Sequence, residues 1–180
     1  MEPVPSDDKK WYVMRVTYQR EVIAKDRLDK MEIENFLPLR SERRRNAHGR
    51  FCKVRVPMVH NFLFVRSERS TIDHIKTFSL PYLRYATTTT DGRRTIMTVP
   101  EKQMQSFIAV AGDEEQQAIY LDPASVDLSK GDKVRIIGGQ LAGVEGTFMK
   151  IKGGNRVVVK IDFVAAVATA EIPPQLIEKL

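Results

Sequence analysis

The chain of 180 residues has one cysteine, Cys52, and three histidines, His48, His60 and His74. A lone thiol excludes an internal disulfide and a cysteine-built zinc site, and it fits a reducing compartment. The histidines are scattered and lack metal-ligand spacing. Long apolar runs are also missing: the longest, 163–170, is too short and too small in side chain to span a bilayer. The polar start, with Pro3, Pro5, Asp7 and Asp8, lacks the apolar stretch of a signal peptide, so a cytoplasmic protein is expected. No Gly-x-Ser-x-Gly elbow or His-Glu-x-x-His helix occurs. Gly138 and Gly143 have the separation of a phosphate-binding loop. Val144 and Glu145, however, stand where Lys and Ser/Thr must follow, so the cation and the Mg²⁺ ligand are both missing. Cys52 lies among arginines and lysines without a general base, which reads as an exposed loop cysteine. No catalysis, cofactor or metal is expected.

What is present is charge, unevenly placed. Net charge is +6. Residues 1–112 carry 21 Lys+Arg against 13 Asp+Glu, a balance of +8, and residues 113–180 carry 8 against 10, a balance of −2. A basic first half joined to a mildly acidic second half suggests two modules with different partners, the first near a polyanion.

Residues 11–16 (WYVMRV) are aromatic and β-branched, as a strand should be. Residues 21–31 follow as a short amphipathic helix, with Val22, Ile23, Leu28 and Met31 on one face. A Pro-bounded strand is expected at 36–39. Residues 40–55 then hold Arg40, Arg43, Arg44, Arg45, Arg50, Lys53 and Arg55 against one acid, Glu42, and the turn formers Asn46 and Gly49 predict a protruding hairpin or loop. Residues 61–65 read as a central strand. A second helix is expected over 70–78, opened by Ser70 as N-cap with Asp73 three residues on. A strand at 82–86 leads into four threonines and an Asp91-Gly92 turn. After Pro100, Glu101 opens a third helix with Met104, Phe107 and Ile108 inward.

Residues 112–127, with an acidic patch at 113–117 and an apolar interruption at 119–121, read as a linker. From 128 onward Val134, Ile136, Val144, Phe148, Ile151, Val157, Val159 and Ile161 alternate with polar residues between Gly-Gly pairs, which predicts a small all-β barrel. The fold class expected is α+β: a disordered stretch at 1–9, an antiparallel sheet flanked by helices over 10–111, the linker, and a barrel over 128–180.

The most specific signal is KGDKVRIIGGQLAGVEGTFMKI, residues 130–151. Lys130, Gly131 and Asp132 turn into the strand at Val134, Gly138 and Gly139 make the next turn, and Gly143 and Gly146 bracket a sharp bend where positive φ or close approach demands glycine. This resembles the KOW motif of NusG-type factors and several ribosomal proteins. Trp11-Tyr12-Val13 opening a domain, followed by a helix, a basic insertion and an apolar strand, looks like the NusG N-terminal (NGN) domain. The family's aromatic-Pro-Gly-Tyr-Val-x-Val strand is replaced here by Val59-His60-Asn61-Phe62-Leu63-Phe64-Val65. With that departure, the chain looks most like the UpxY-type antiterminators, specialised relatives that act on long operons for surface polysaccharides.

The resemblance implies a monomeric transcription elongation regulator, not an enzyme. Its NGN-like domain would sit on the clamp helices of RNA polymerase through Trp11, Tyr12, Val59, Phe62 and Phe64. Strand alternation requires about half of these to be core instead. Ser67, Arg69 and Thr71 would approach the opposite, gate-loop side. The basic cluster Arg40 to Arg55 would face DNA of the transcription bubble or nascent RNA. Phe148 and Phe163 on the barrel would dock a second partner, in the family Rho or a small-subunit ribosomal protein. The rival reading is a KOW-containing ribosomal or ribosome-assembly RNA-binding protein, but such a protein should carry its basic residues on the barrel.

Overall fold

A computed structural model describes residues 8–112 and 118–180. The acidic patch at 113–117 and all but the last two residues of the expected disordered start lie outside the described residues. The chain divides into two compact units, Met1–Pro100 and Glu101–Leu180.

The first unit runs β1 (Lys10–Val16), α1 (Glu21–Lys30), β2 (Asn35–Phe36), β3 (Leu39–Arg45), β4 (Phe51–Pro57), β5 (Phe62–Ser67), α2 (Arg69–Phe78), β6 (Leu83–Tyr85), β7 (Thr87–Thr90), β8 (Arg93–Ile96) and β9 (Thr98–Val99). Its antiparallel sheet has the order β2-β5-β1-β6, with β9 also pairing with β1. The central places fall to β1 and β5, the two most apolar segments of the unit, where pairing along both edges leaves no row of backbone N–H and C=O groups open to solvent. On one face Tyr12, Met14 and Val16 of β1 join Leu63 and Val65 of β5. Ala24 and Leu28 of α1, Ile72 and Ile75 of α2, and Leu37, Leu80 and Leu83 complete that core cluster. Burying each of the larger aliphatic side chains contributes about 1.5–3 kcal/mol.

The helices depart from the expected pattern in instructive ways. In α1 the buried residues are Glu21, Ala24 and Leu28, while Ile23 is 52% exposed and Met31, the C-cap, is 39% exposed. Positions i, i+3 and i+7 share a helix face, so once Glu21 turns inward Ile23 must point away. In α2 the N-cap is Glu68, one residue before Arg69, rather than Ser70, and no side chain closes it. The 36–39 strand is divided: β2 ends at Phe36, and β3 begins at Leu39 after Pro38.

Two hairpins leave the sheet. β3 and β4 pair from Leu39↔Pro57 to Arg45↔Phe51. β7 and β8 pair through a turn in which Asp91 and Gly92 both have positive φ, as a two-residue hairpin turn demands. This second hairpin emerges at Val13, where β1 stops pairing with β6 and starts pairing with β9.

The second unit holds α3 (Glu101–Ala111), β10 (Ile119–Leu121), β11 (Asp132–Ile136), β12 (Glu145–Ile151), β13 (Gly154–Ile161), β14 (Ala165–Ala168) and β15 (Ile177–Lys179). Its antiparallel sheet has the order β10-β14-β13-β12-β11-β15. The apolar interruption of the expected linker is therefore a strand, and the third helix, expected with the first sheet, packs on β12, β13 and β14. Ser106, buried in α3, accepts the Glu145 backbone N–H at 3.0 Å, and Gln103 donates to the Lys160 carbonyl at 2.6 Å. Met104 and Phe107 are buried as expected, whereas Ile108 is half-buried and Val110 takes an inward position. The alanine-rich 165–168 segment is a fully buried strand between two partners. Among the described residues no helix is long and apolar enough to cross a membrane.

Candidate functional site

Cross-strand register sorts the proposed docking residues by face. Trp11 pairs with Arg66, Val13 with Phe64 and Arg15 with Phe62, so these share the face opposite the core cluster. Tyr12 lies on the other face, within the core. Trp11, Val13 and Phe64 are buried, as is Val59 just before the strand. Phe62 is half-buried, and Arg15 and its other neighbour across the register, Arg84, are exposed. Of the five aromatic and aliphatic anchors named from sequence, Phe62 alone is partly open. The two arginines beside it escaped the sequence reading, because the register that brings Arg15 between Phe62 and Arg84 is a tertiary fact.

The bend before Phe62 explains how His60-Asn61 can stand where Pro-Gly was expected. Asn61 has φ +65°, a left-handed conformation that Asn tolerates better than most residues with a side chain. Its N–H donates to the buried carboxylate of Glu21 at 2.7 Å, and its carbonyl accepts from Val16 N–H at 2.8 Å. At the other end of β5, Ser67 is buried and paired with Lys10, Arg69 is exposed, and Thr71 is half-buried. Arg69 lies 3.8 Å from Asp73, and its carbonyl accepts from the Tyr85 hydroxyl at 3.4 Å. Burial, followed by the influence of Asp73, pushes that hydroxyl well above the usual tyrosine range.

The basic cluster occupies the β3–β4 hairpin, with Asn46 and Gly49 in its turn as expected. Asn46 Oδ1 accepts the backbone N–H groups of His48 and Arg50, each at 3.0 Å. Arg40, Glu42 and Arg44 share one face with Cys52, Val54 and Val56. There Glu42 accepts from Arg40 Nε at 2.8 Å and Arg44 Nη2 at 2.9 Å. Hydrogen bonds from Arg44 and then Arg40 hold its carboxyl below the ordinary value of 4.5. The other face carries Arg43, Arg45, Lys53, Arg55 and Phe51. Cys52 is exposed, as expected, although it sits on a strand rather than in a loop.

In the second unit, Gly131 follows a short 3-10 turn, Leu128–Lys130, and leads into β11 at Asp132, where Val134 and Ile136 are buried. Gly139 and Gly143 have φ +79° and +91°. Gly146 is demanded by space instead: a Cβ there would meet the Val158 carbonyl oxygen at 2.6 Å. Glu145 accepts from Lys102 Nζ at 2.9 Å and from Arg135 Nη2 at 2.7 Å, which lowers its pKa. Phe148 is half-buried on β12, and Phe163 is 81% exposed in the turn between β13 and β14.

Residues 9–108 match the family model described as "Transcription termination factor nusG", a stretch that covers more than half of the chain. No curated protein matches the chain. The chain belongs to the NusG family, a family of transcription factors.

Proposed function

We propose that this protein binds RNA polymerase during elongation and suppresses pausing and termination, acting on particular operons such as those for surface polysaccharides. The observation that carries this reading is Phe62. It is a partly open aromatic, like Phe36 further along the same sheet face, on which Trp11 and Phe64 are buried, and it is held beside two exposed arginines. Aromatic and arginine side chains are the residues that most often dominate a protein interface. In this reading Trp11, Val59 and Phe64 stiffen the platform and Phe62 docks against the clamp helices. Arg69 and Thr71 reach toward the gate-loop side. Gripping both sides of the main cleft disfavours the open, paused state by population shift, with no bond chemistry.

The β3–β4 hairpin then lies toward nucleic acid of the transcription bubble. The second unit, read as a KOW domain on its glycine pattern, presents Phe163 with Phe148 to Rho or a small-subunit ribosomal protein. Phe163 supports this role because it is exposed and left-handed, with φ +63°. Residues held in such a conformation at a cost cluster at functional sites.

Transcription in vitro across an intrinsic and a Rho-dependent terminator, with and without the protein, tests the reading. Read-through should rise with the wild-type chain, and Phe62→Ala should abolish both the rise and the capture of polymerase. Capture of ribosomes without polymerase would replace this reading with that of a ribosomal RNA-binding protein.

A further inference from the structure

The β3–β4 hairpin is not uniformly basic; its two faces are built on different electrostatic plans. On the face of Arg40, Glu42 and Arg44, one acid sits between two arginines and bonds both. On the opposite face, Arg43 stands directly across from Lys53 and Arg45 directly across from Phe51. Like charges directly opposite one another destabilise a strand pair. Among the described residues none of Arg43, Arg45 and Lys53 makes a salt bridge; only Arg55, at the base, is paired, with Asp26 at 3.1 Å. A hairpin shaped for stability alone would interleave acids on this face as it does on the other. Here three cations are left facing solvent together, which suits a polyanion.

Phe51 narrows the kind of polyanion. Its ring is 61% exposed, and the guanidinium groups of Arg45 and Arg43 lie 5.1 Å and 5.6 Å from its centroid. Phosphate contacts alone would need no aromatic group. A duplex keeps the π-faces of its bases inside the stack, whereas an unpaired base offers one to an exposed ring. Arginines already held over the ring stand ready to take the phosphates on either side of a stacked base.

We propose that this face binds unpaired nucleotides, with Phe51 as the stacking platform and Arg43, Arg45 and Lys53 as phosphate contacts. The proposal specifies the nucleic-acid role given to the hairpin above and rests on that reading. Unpaired DNA and unpaired RNA share the chemistry, so both are tested.

The experiment measures fluorescence anisotropy of the full-length protein with labelled single-stranded DNA, single-stranded RNA and duplex DNA, each of about 15 nucleotides, a length within reach of one aromatic-basic surface. Phe51→Ala should weaken single-strand binding about tenfold and leave duplex binding within about twofold, and Phe51→Trp should keep it. Arg43→Ala with Lys53→Ala should weaken all three and flatten the salt dependence by about 0.7 per lost contact on single strands. Thermal melts of the same variants should coincide with wild type, since Phe51 lies outside the core. Whichever of the two single strands binds more tightly identifies the source. Equal loss on single strands and duplex after Phe51→Ala, or no loss on either, overturns the proposal, as does failure of the wild-type chain to bind single strands. Polymerase capture separates this from the broader reading. Phe51→Ala should retain capture, and loss of capture with oligonucleotide binding intact would make Phe51 a protein contact instead. If polymerase is not captured at all while the single-strand results hold, the broader reading fails and this proposal stands.

Discussion

The carboxylate of Glu21, only 2% exposed at the start of the first helix, accepts the backbone N–H of Asn61, forty residues further along the chain, at 2.7 Å. It thereby fixes the left-handed bend that delivers Phe62 to the sheet. Glu21→Ala should leave that N–H unsatisfied and cost about 1–3 kcal/mol. Glu21→Gln, which keeps an accepting oxygen, should cost less. Asn61→Gly should be tolerated, while a β-branched Asn61→Val should be among the most damaging changes at this bend. Urea unfolding read by circular dichroism orders the four variants. Polymerase capture should follow the same order, because Phe62 adjoins the bend.

Glu145 predicts an acid-sensitive link inside the second unit. Hydrogen bonds from Lys102 and then Arg135 depress its folded pKa below 4.5. A depressed carboxylate pKa stabilises the folded state above the unfolded value, and that contribution is lost as pH falls through the folded pKa. Stability should therefore fall from about pH 4.5 downward, and Glu145→Gln should flatten that part of the profile. Chemical denaturation at pH 6, 5, 4 and 3 measures it. Because all three groups touch solvent, the change should be small and should shrink in high salt.

Phe163 separates stability from binding. Its side chain is exposed and its φ is +63°, so Phe163→Gly removes backbone strain without uncovering a core. Against this, glycine adds freedom to the unfolded chain, so the net change in stability should stay within about 1 kcal/mol. The same substitution should abolish capture of Rho or the ribosomal partner. A melt and a pull-down on one preparation check both outcomes.

Gly146 should be intolerant where Gly139 is only strained. Gly146→Ala would bring a Cβ to 2.6 Å from the Val158 carbonyl oxygen, and neither strand can yield without breaking the β12–β13 pairing. A loss of about 1–3 kcal/mol or more is expected. Gly139→Ala meets nothing within 4 Å and pays only for its positive φ, so it should cost about 1 kcal/mol. Thermal melts of the two variants side by side should keep that order.

Local chemistry made several elements legible before any coordinates. Alternating β-branched residues in the second half read as strands because their period of two suits a half-buried sheet. Asp91-Gly92 read as a hairpin turn because its two positive φ values need those residue types. The basic hairpin was marked by Asn46 and Gly49. Helix faces were read less well. Ile23 and Met31 are apolar, and periodicity alone sends them inward with Val22 and Leu28. Yet Glu21 takes an inward place because a distant backbone N–H waits for it, and Ile23 and Met31 are exposed while Val22 still packs against the core.

The sequence by itself determined that the chain has two modules of opposite charge balance, a glycine-patterned β unit and a NusG-type first half. Composition, turn chemistry and short-range periodicity are local properties, each written within a dozen residues. Only the tertiary structure decided that the third helix belongs with the second unit, that Tyr12 is core while Phe62 stays partly open, and that the cations of one hairpin divide into a face where two arginines share one acid and a face with three uncompensated ones. Those outcomes depend on strand register and on pairs far apart in the chain. A shift of one residue in register would exchange the two faces of every strand, and nothing local forbids it.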